Sequence, residues 1–555
     1  MEPGAASAGV TILVWLLIAI LVVAVFSKYV RVPYTVALVV AGLIIALTPL
    51  HLTIQLTPDL ILFIFLPALL FESSFNLHFA DLRDNLRPVA FLAVPGVILT
   101  AVFIAAAMHY ALALDWPTAF LFGAIMSATD PISVLAIFRR VGAPRRLAVI
   151  LEGESLFNDG TSLVIFAIVL QMVEAHQVAD AVVTVEQFVV VVAGALALGA
   201  VIGYGASLLL SRVNDYLVET SMTLVVAYGS YLLAERIGVS GVIAVVVAAL
   251  IVGNYGRNTA MSPTTRLAVS STWEFISFLA NSLIFILIGI ELDLVKMGQY
   301  LGPTVLAIVV VLAVRAVVVV GSSWVLRYIH RPISFRWQIV LVWGGLRGAL
   351  ALAMALSLPL GISPSQPFPD RELLQVMTFG VIIFSLLGQG LTMGPLLRRL
   401  GMTDTSERQE QYEVLAARRG MALAAISQIG KLEASGSLGS DVAEGLRHVY
   451  SSQAEDLGES LRALRLRDED IREQYVRAIR RRVIQSQKTY VQQRYLEGTL
   501  SEEGMRSITV DLDAELHELD LPGEPPEDGT EQGEPRETAQ PERAEEARPA
   551  SGTGS

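Results

Sequence analysis

Ser127-Ala128-Thr129-Asp130-Pro131 and Glu152-Gly153-Glu154-Ser155-Leu156-Phe157-Asn158-Asp159 are polar stretches set inside long apolar runs. A carboxylate at the centre of a bilayer costs on the order of 3 kcal/mol by insertion scales, so acids at such depth face a bundle interior or a water-filled cavity and mark an ion path or proton relay. The surrounding composition is that of a membrane protein. Of 555 residues, 54% are hydrophobic and 17% charged, and the mean hydropathy is +0.58, outside the range of soluble domains. The chain has no cysteine, which removes disulfides, thiolate catalysis and Cys-ligated metal centres together. Its seven histidines are scattered: His51, His78, His109, His176 and His330 fall at or near the ends of apolar runs, and His448 and His517 lie beyond them, without the spacing of a metal site. No resident cofactor and no nucleic-acid partner are expected.

Apolar runs lie at 9–30, 33–50, 58–77, 87–112, 117–138, 146–172, 184–211, 216–234, 238–254, 266–292, 302–328, 335–359 and 372–396. At the length needed to cross about 30 Å of hydrocarbon, they predict an all-α polytopic fold of roughly thirteen transmembrane helices. The first run follows an N-terminus with no basic residue and no small-residue cleavage site, so it reads as a retained helix rather than a signal peptide. Loop charges support the same division. Lys28, Arg31, Arg83, Arg87, Arg139, Arg140, Arg145, Arg146, Arg212, Arg257, Arg266, Arg327, Arg331, Arg336, Arg398 and Arg399 fall in one set of alternate loops, and only Arg236, Lys296 and Arg371 in the other. Basic residues concentrate on the cytoplasmic side, which predicts an N-terminus outside and a C-terminus inside, in a multi-pass protein of the cell membrane.

Residues 1–400 thus form a transmembrane domain. From 401 to about 520 the chain turns to mixed charge at helical spacing, including Arg480-Arg481-Arg482, and predicts a cytoplasmic helical regulatory domain. Residues 521–555 are rich in Pro, Glu, Gly and Thr, too poor in apolar surface to fold, and predict a disordered acidic tail. That tail carries nine acids and three arginines, half of the formal net charge of -12, so the charge balance says little about the membrane domain.

At about 1.5 Å of rise per residue, Asp159 lies roughly 20 Å along the sixth span from its inner end and Asp130 roughly 14 Å above the inner end of the fifth, so the two meet at similar depth. Glu152, Ser155 and Asp159 follow i, i+3, i+7 and share one helical face, with Glu154 and Asn158 on a neighbouring one. The first face can ligate a cation through hard oxygen donors, which suit an alkali ion rather than a transition metal. Pro131 lacks an N–H and biases Asp130 away from helical geometry, so the fifth span breaks there and frees carbonyls near Thr129. Gly344, Gly345 and Gly348 weaken the twelfth span around Arg347, whose guanidinium is placed to satisfy the opposite half-helix or an acid. An odd offset of seven spans sets the two breaks in oppositely directed helices. Paired discontinuous helices in inverted halves point to a transporter site at the midplane.

Thr129-Asp130-Pro131, Glu154-Ser155-Leu156-Phe157-Asn158-Asp159-Gly160 and Trp343-Gly344-Gly345-Leu346-Arg347-Gly348-Ala349 resemble the motifs of the monovalent cation:proton antiporter family, in particular its NhaP-type and plasma-membrane sodium/proton exchangers, over about residues 9–400. The resemblance implies an antiporter exchanging sodium or another alkali cation for protons and regulating intracellular pH and sodium. It also implies a homodimer built from a scaffold and a mobile six-helix core with two broken crossing helices. It makes Asp159 the ion-binding and proton-carrying carboxylate, with Ser155 and the Thr129 main chain as further sodium ligands. Asn158 matches a position whose neutral residue accompanies electroneutral exchange, and Asp130 with Asn158 stabilises the crossing helices. Glu154 and Arg347 match a buried ion pair, and Glu72, within Phe71-Glu72-Ser73-Ser74, resembles an acid that approaches the site through the scaffold.

Burial of Asp159 implies competition: a carboxylate in a low-dielectric interior is stable once neutralised by either a proton or a cation, and the neutral site crosses the apolar interface most cheaply. Other readings stay open. The cargo can be potassium. A cation channel also lines its path with acids, though around a continuous pore, and an intramembrane hydrolase could use Asp130 and Asp159 as a dyad, though H-E-x-x-H is absent. Glu154 and Arg347 can be solely structural, Arg315 can pair with an acid or a helix end, Glu274 is a funnel acid or a solvated helix end, and Ser127 is a ligand or bonds back to its own helix.

Overall fold

The computed structural model describes residues 3–465 apart from 28, 30–32, 49–56, 176–180, 214, 258–259, 329–331, 364–365, 403–404 and 436–437, together with scattered residues between 480 and 512. The chain divides into two compact units, Met1–Glu410 and Gln411–Ser555.

The first unit is built from α1 (Pro3–Ser27), α2 (Tyr34–Ala46), α3 (Leu60–Asn76), the short α4 (Phe79–Asp84), α5 (Leu86–Leu112), the half-helices α6 (Trp116–Ser127) and α7 (Ile132–Val141), and α8 (Arg145–Ala175). It continues through α9 (Ala181–Leu210), α10 (Tyr216–Ile237), α11 (Gly241–Gly256), α12 (Pro263–Ile290), the short α13 (Leu294–Gln299), α14 (Leu301–Leu326), the half-helices α15 (Phe335–Trp343) and α16 (Ala349–Leu356), and α17 (Arg371–Arg399). Local sequence sets the boundaries. Asp215 accepts from the backbone N–H groups of Leu217 at 2.8 Å and Val218 at 3.1 Å to open α10, satisfying donors with no partner inside the helix. Gly238, at φ 76°, closes it in the left-handed region a glycine enters without strain.

Two bundles result. The first gathers α5 to α8 with α14 to α17, and the second gathers α1 to α3 with α9 to α12; they meet along α8, which touches α3, α9 and α11, and where α3 meets α16 and α2 meets α17. Small residues let backbones approach, as in membrane helix packing generally. A Cβ on Gly123 of α6 would stand 3.0 Å from the Ala101 carbonyl carbon of α5, and one on Gly289 of α12 would stand 2.9 Å from the Gly42 Cα of α2. Large apolar side chains on the outer faces, Val182, Val201, Val225 and Val309 among them, are exposed, as expected where lipid is the solvent.

Each of the expected runs carries helix, but among the described residues only seven helices are long and apolar enough to cross a membrane. The others fall short because α1 over 11–27, α2, α3 and α11 are brief and because 117–138 and 335–359 are each divided into two half-helices. A two-stranded antiparallel pair, β1 (Gly361–Ser363) and β2 (Gln366–Pro367), interrupts the otherwise helical chain. Prolines 359, 367 and 369 prevent helix there.

In the second unit, the rest of α18 (Thr405–Ala434) and all of α19 (Ser440–Arg465) are tied by packing of Tyr412 on Leu461 and by an Arg447–Glu433 ion pair. The expected tail, 521–555, lies outside the described residues.

Candidate functional site

The two broken helices cross, and their unwound segments are joined. α6 stops at Ser127, Ala128 is extended, and Pro131 opens α7. Across the gap the Asp130 N–H donates to the Leu346 carbonyl at 2.9 Å, closing a bridge between strand-like pieces that have no helical partner. Asp130 Oδ1 accepts from the Ile132 N–H at 2.9 Å, capping α7. The side chain of Asp130 also lies against Gly348, where any Cβ would collide with its carboxylate. Ser127, left open between ligand and back-bonded hydroxyl, donates to the Ala124 carbonyl at 2.7 Å within its own helix.

Each polar group of Thr129 is held by α8. Its N–H donates to Asn158 Oδ1 at 3.4 Å, its hydroxyl accepts from Asn158 Nδ2 at 2.6 Å, and its carbonyl accepts from the Ser155 hydroxyl. One turn further on, Asp159 lines a cavity of about 60 Å³ together with Ser155, Thr129, Asp130, Glu152 and Gly348. Leu66, Leu69 and Leu70 of α3 close it from the second bundle. No described residue gives the Asp159 carboxylate a hydrogen bond. The space suits a small ion with part of its water, and carboxylate, hydroxyl and carbonyl oxygens are hard donors. Among the described residues no group of three or more His, Cys, Asp or Glu is arranged to hold a metal.

Two expected members are placed elsewhere. Glu72 does not line the cavity. Its carboxylate accepts from Asn76 Nδ2 at 3.0 Å and from the Ser277 hydroxyl at 3.5 Å, held at the junction of α3 and α12, where Arg139 and Glu274 act on it electrostatically. The expected ion pair between Glu154 and Arg347 is replaced. Glu154 binds Arg315 of α14 through both terminal guanidinium nitrogens, Nη1 on Oε1 and Nη2 on Oε2 at 3.0 Å. Arg347 instead donates from Nε to the Met126 carbonyl at 2.8 Å and from Nη1 to Gly345, and its N–H meets the Ser385 hydroxyl at 3.1 Å. The reason is geometric. Arg347 sits in the unwound segment, which carries its guanidinium to the C-terminal carbonyls of α6, where a cation offsets the helix dipole. Arg315 likewise donates to Leu341 near the end of α15 at 3.2 Å.

Glu152 lines the cavity beside Asp159, and Ser385 and Gln389 are polar residues of the crossing that lie outside the three motifs. Gln389 donates to the Trp343 carbonyl at 3.1 Å, a second carbonyl satisfied at the same end of α15. Their four-residue spacing inside an apolar run was the available signal. That stretch, Phe384–Gly390, is π-helical, a distortion frequent at functional sites.

A family model described as the transmembrane sodium/hydrogen exchanger matches residues 16–399. The chain is 42% identical over 397 residues to the Na(+)/H(+) antiporter ApNhaP of Aphanothece halophytica, covering 71% of this chain and 74% of that one. It is 41% identical over 394 residues to the low-affinity Na(+)/H(+) antiporter NhaS1 of Synechocystis, covering 70% and 73%. Among solved structures, the sodium proton antiporter MjNhaP1 from Methanocaldococcus jannaschii at pH 8 superposes with a TM-score of 0.59 at 21% identity, covering 71% of this chain and 99% of that one.

Proposed function

The chain belongs to the sodium/hydrogen exchanger family, a family of membrane transporters, and from that premise we propose that it is a secondary active antiporter exchanging sodium for protons, with Asp159 as the carboxylate at which the two compete. The observation that carries this reading is the convergence of Asp159, Ser155 and the unwound Thr129–Asp130 segment on one cavity at the crossing of two broken helices. A sodium ion or a proton neutralises Asp159, and the neutral site then passes the apolar face of the second bundle. Ser155 and the Thr129 carbonyl turn from each other toward the ion, Asp130 holds the crossing, and Glu152 lines the approach. Glu72 acts on that approach through charge rather than as a ligand. The protein crosses the cell membrane thirteen times with its C-terminus inside, works as a homodimer, and adjusts cytoplasmic pH and sodium. Potassium as the cargo is the competing reading.

Proton flux in proteoliposomes decides among these. A sodium gradient drives opposed proton movement, and lithium and potassium run beside it give the selectivity. Failure of every alkali gradient to move protons ends the antiporter reading, and current far above transporter turnover favours a channel.

Exchange is electroneutral, because Asn158 contributes no charge and spends its amide on Thr129. An imposed potential therefore leaves the wild-type rate unchanged. Asn158→Asp adds a charge beside Asp159 and removes the donor to the Thr129 hydroxyl, so its rate becomes dependent on the potential. A variant as indifferent to potential as the wild type would remove Asn158 from the control of stoichiometry.

A further inference from the structure

Beside the crossing lies a second, smaller cavity of about 10 Å³, lined by Arg315, Gly345, Arg347, Val381, Ser385 and Gln389 among others. Arg315 is 5% exposed and Arg347 2%, yet Arg315 Nε and Arg347 Nη2 have no hydrogen-bond partner in the protein. Buried donors are almost always satisfied, by protein or by ordered water, because an unmet one carries its full desolvation cost. Gly345 supplies the third observation. A Cβ there would stand 2.8 Å from Arg315 Nε and 3.3 Å from Arg347 Nη1, so the space beside the two guanidiniums exists because this residue has no side chain.

Charge selects the occupant. The two guanidinium charges are met by the Glu154 carboxylate and by the carbonyl ends of two half-helices, Met126 of α6 on Arg347 and Leu341 of α15 on Arg315. Each helix C-terminus is equivalent to roughly half a negative charge, so the sum is near zero and an anion would leave an excess. A volume of about 10 Å³ admits one water molecule.

We propose that this cavity is a built site for a single water molecule that accepts from Arg315 Nε–H and Arg347 Nη2–H at once. The water joins the two arginines into one hydrogen-bonded unit running from Met126 through Arg347, the water and Arg315 to Leu341 and Glu154. The broken ends of α6 and α15 are thereby held by one network, and the crossing moves as a rigid piece. Gly345 is required as the absent side chain that leaves the water its place. This site stands independently of the cargo carried at Asp159.

The test is an experimental map of the full-length protein at a resolution that shows water, repeated with bromide replacing chloride and on Gly345→Ala. Density about 2.7–3.2 Å from both nitrogens, no anomalous bromide signal, and loss of the density in the alanine variant are expected. Absence of density, density touching one arginine alone, a bromide peak, or a water that persists in Gly345→Ala overturns the proposal. The wild-type and bromide maps decide it even where the variant does not fold.

Discussion

Asp159→Asn reduces sodium-driven proton flux in proteoliposomes to the passive leak of protein-free vesicles. The size of the loss discriminates between roles. Were Asp159 one ligand among several, removing its charge would cost about 1.5–3 kcal/mol, or roughly 10–100-fold in apparent sodium affinity, recoverable at high sodium. If it is the group that sodium and the proton occupy in turn, no sodium concentration restores exchange, because asparagine takes up neither a proton nor a compensating cation in this pH range. The substitution preserves shape, and no described residue donates to the carboxylate, so the fold is expected to survive it. Thermal unfolding in detergent checks this directly: the wild type gains stability with added sodium by mass action, and the variant unfolds near the sodium-free wild-type midpoint at any sodium concentration. Sodium-driven flux retained in Asp159→Asn removes the residue from the centre of the mechanism.

Much of this arrangement was legible because the relevant physics is local. Pro131 forbids a continuous helix through Asp130 whatever packs around it, and the glycines flanking Arg347 weaken the partner helix, so both breaks could be placed before the fold was known. The 3.6-residue repeat put Ser155 and Asp159 on one face, and they line the same cavity. Partner choice was not legible. Glu154 could pair with either of two buried arginines in apolar runs, and only the packing of α14 on α5, α15 and α17 brings Arg315 to it. The surroundings of Glu72 are hidden for the same reason: its depth and its bond to Asn76 one turn on follow from helical geometry, but the rotation of α3 that turns its carboxylate to Ser277 depends on contacts with α12. Helix length is hidden in another way. An apolar run of crossing length does not reveal whether a helix fills all of it, and α2 ends at Ala46 within a run extending to 50.

The exchange of partner at Glu154 has a large energetic consequence. Arg315 and Glu154 are 5% and 1% exposed and meet through two hydrogen bonds. Removing one member of such a pair strands a charge in a low-dielectric interior and costs about 3–5 kcal/mol, whereas replacing both with apolar groups of similar volume is often close to neutral. Arg315→Met and Glu154→Leu should each lower stability by about that amount, and the double variant should recover most of the loss, a coupling well above about 1 kcal/mol. The cycle between Glu154 and Arg347 has a different expectation. Arg347 donates to the Met126 carbonyl and to its own loop and acts on Glu154 through charge, without a hydrogen bond, so that coupling stays below the first. Unfolding of the purified protein in detergent, measured on all variants, gives both values. A Glu154–Arg347 coupling equal to or larger than that of Glu154–Arg315 would restore the pairing implied by the motif and dissolve the distinction between an arginine that neutralises an acid and one that closes a broken helix.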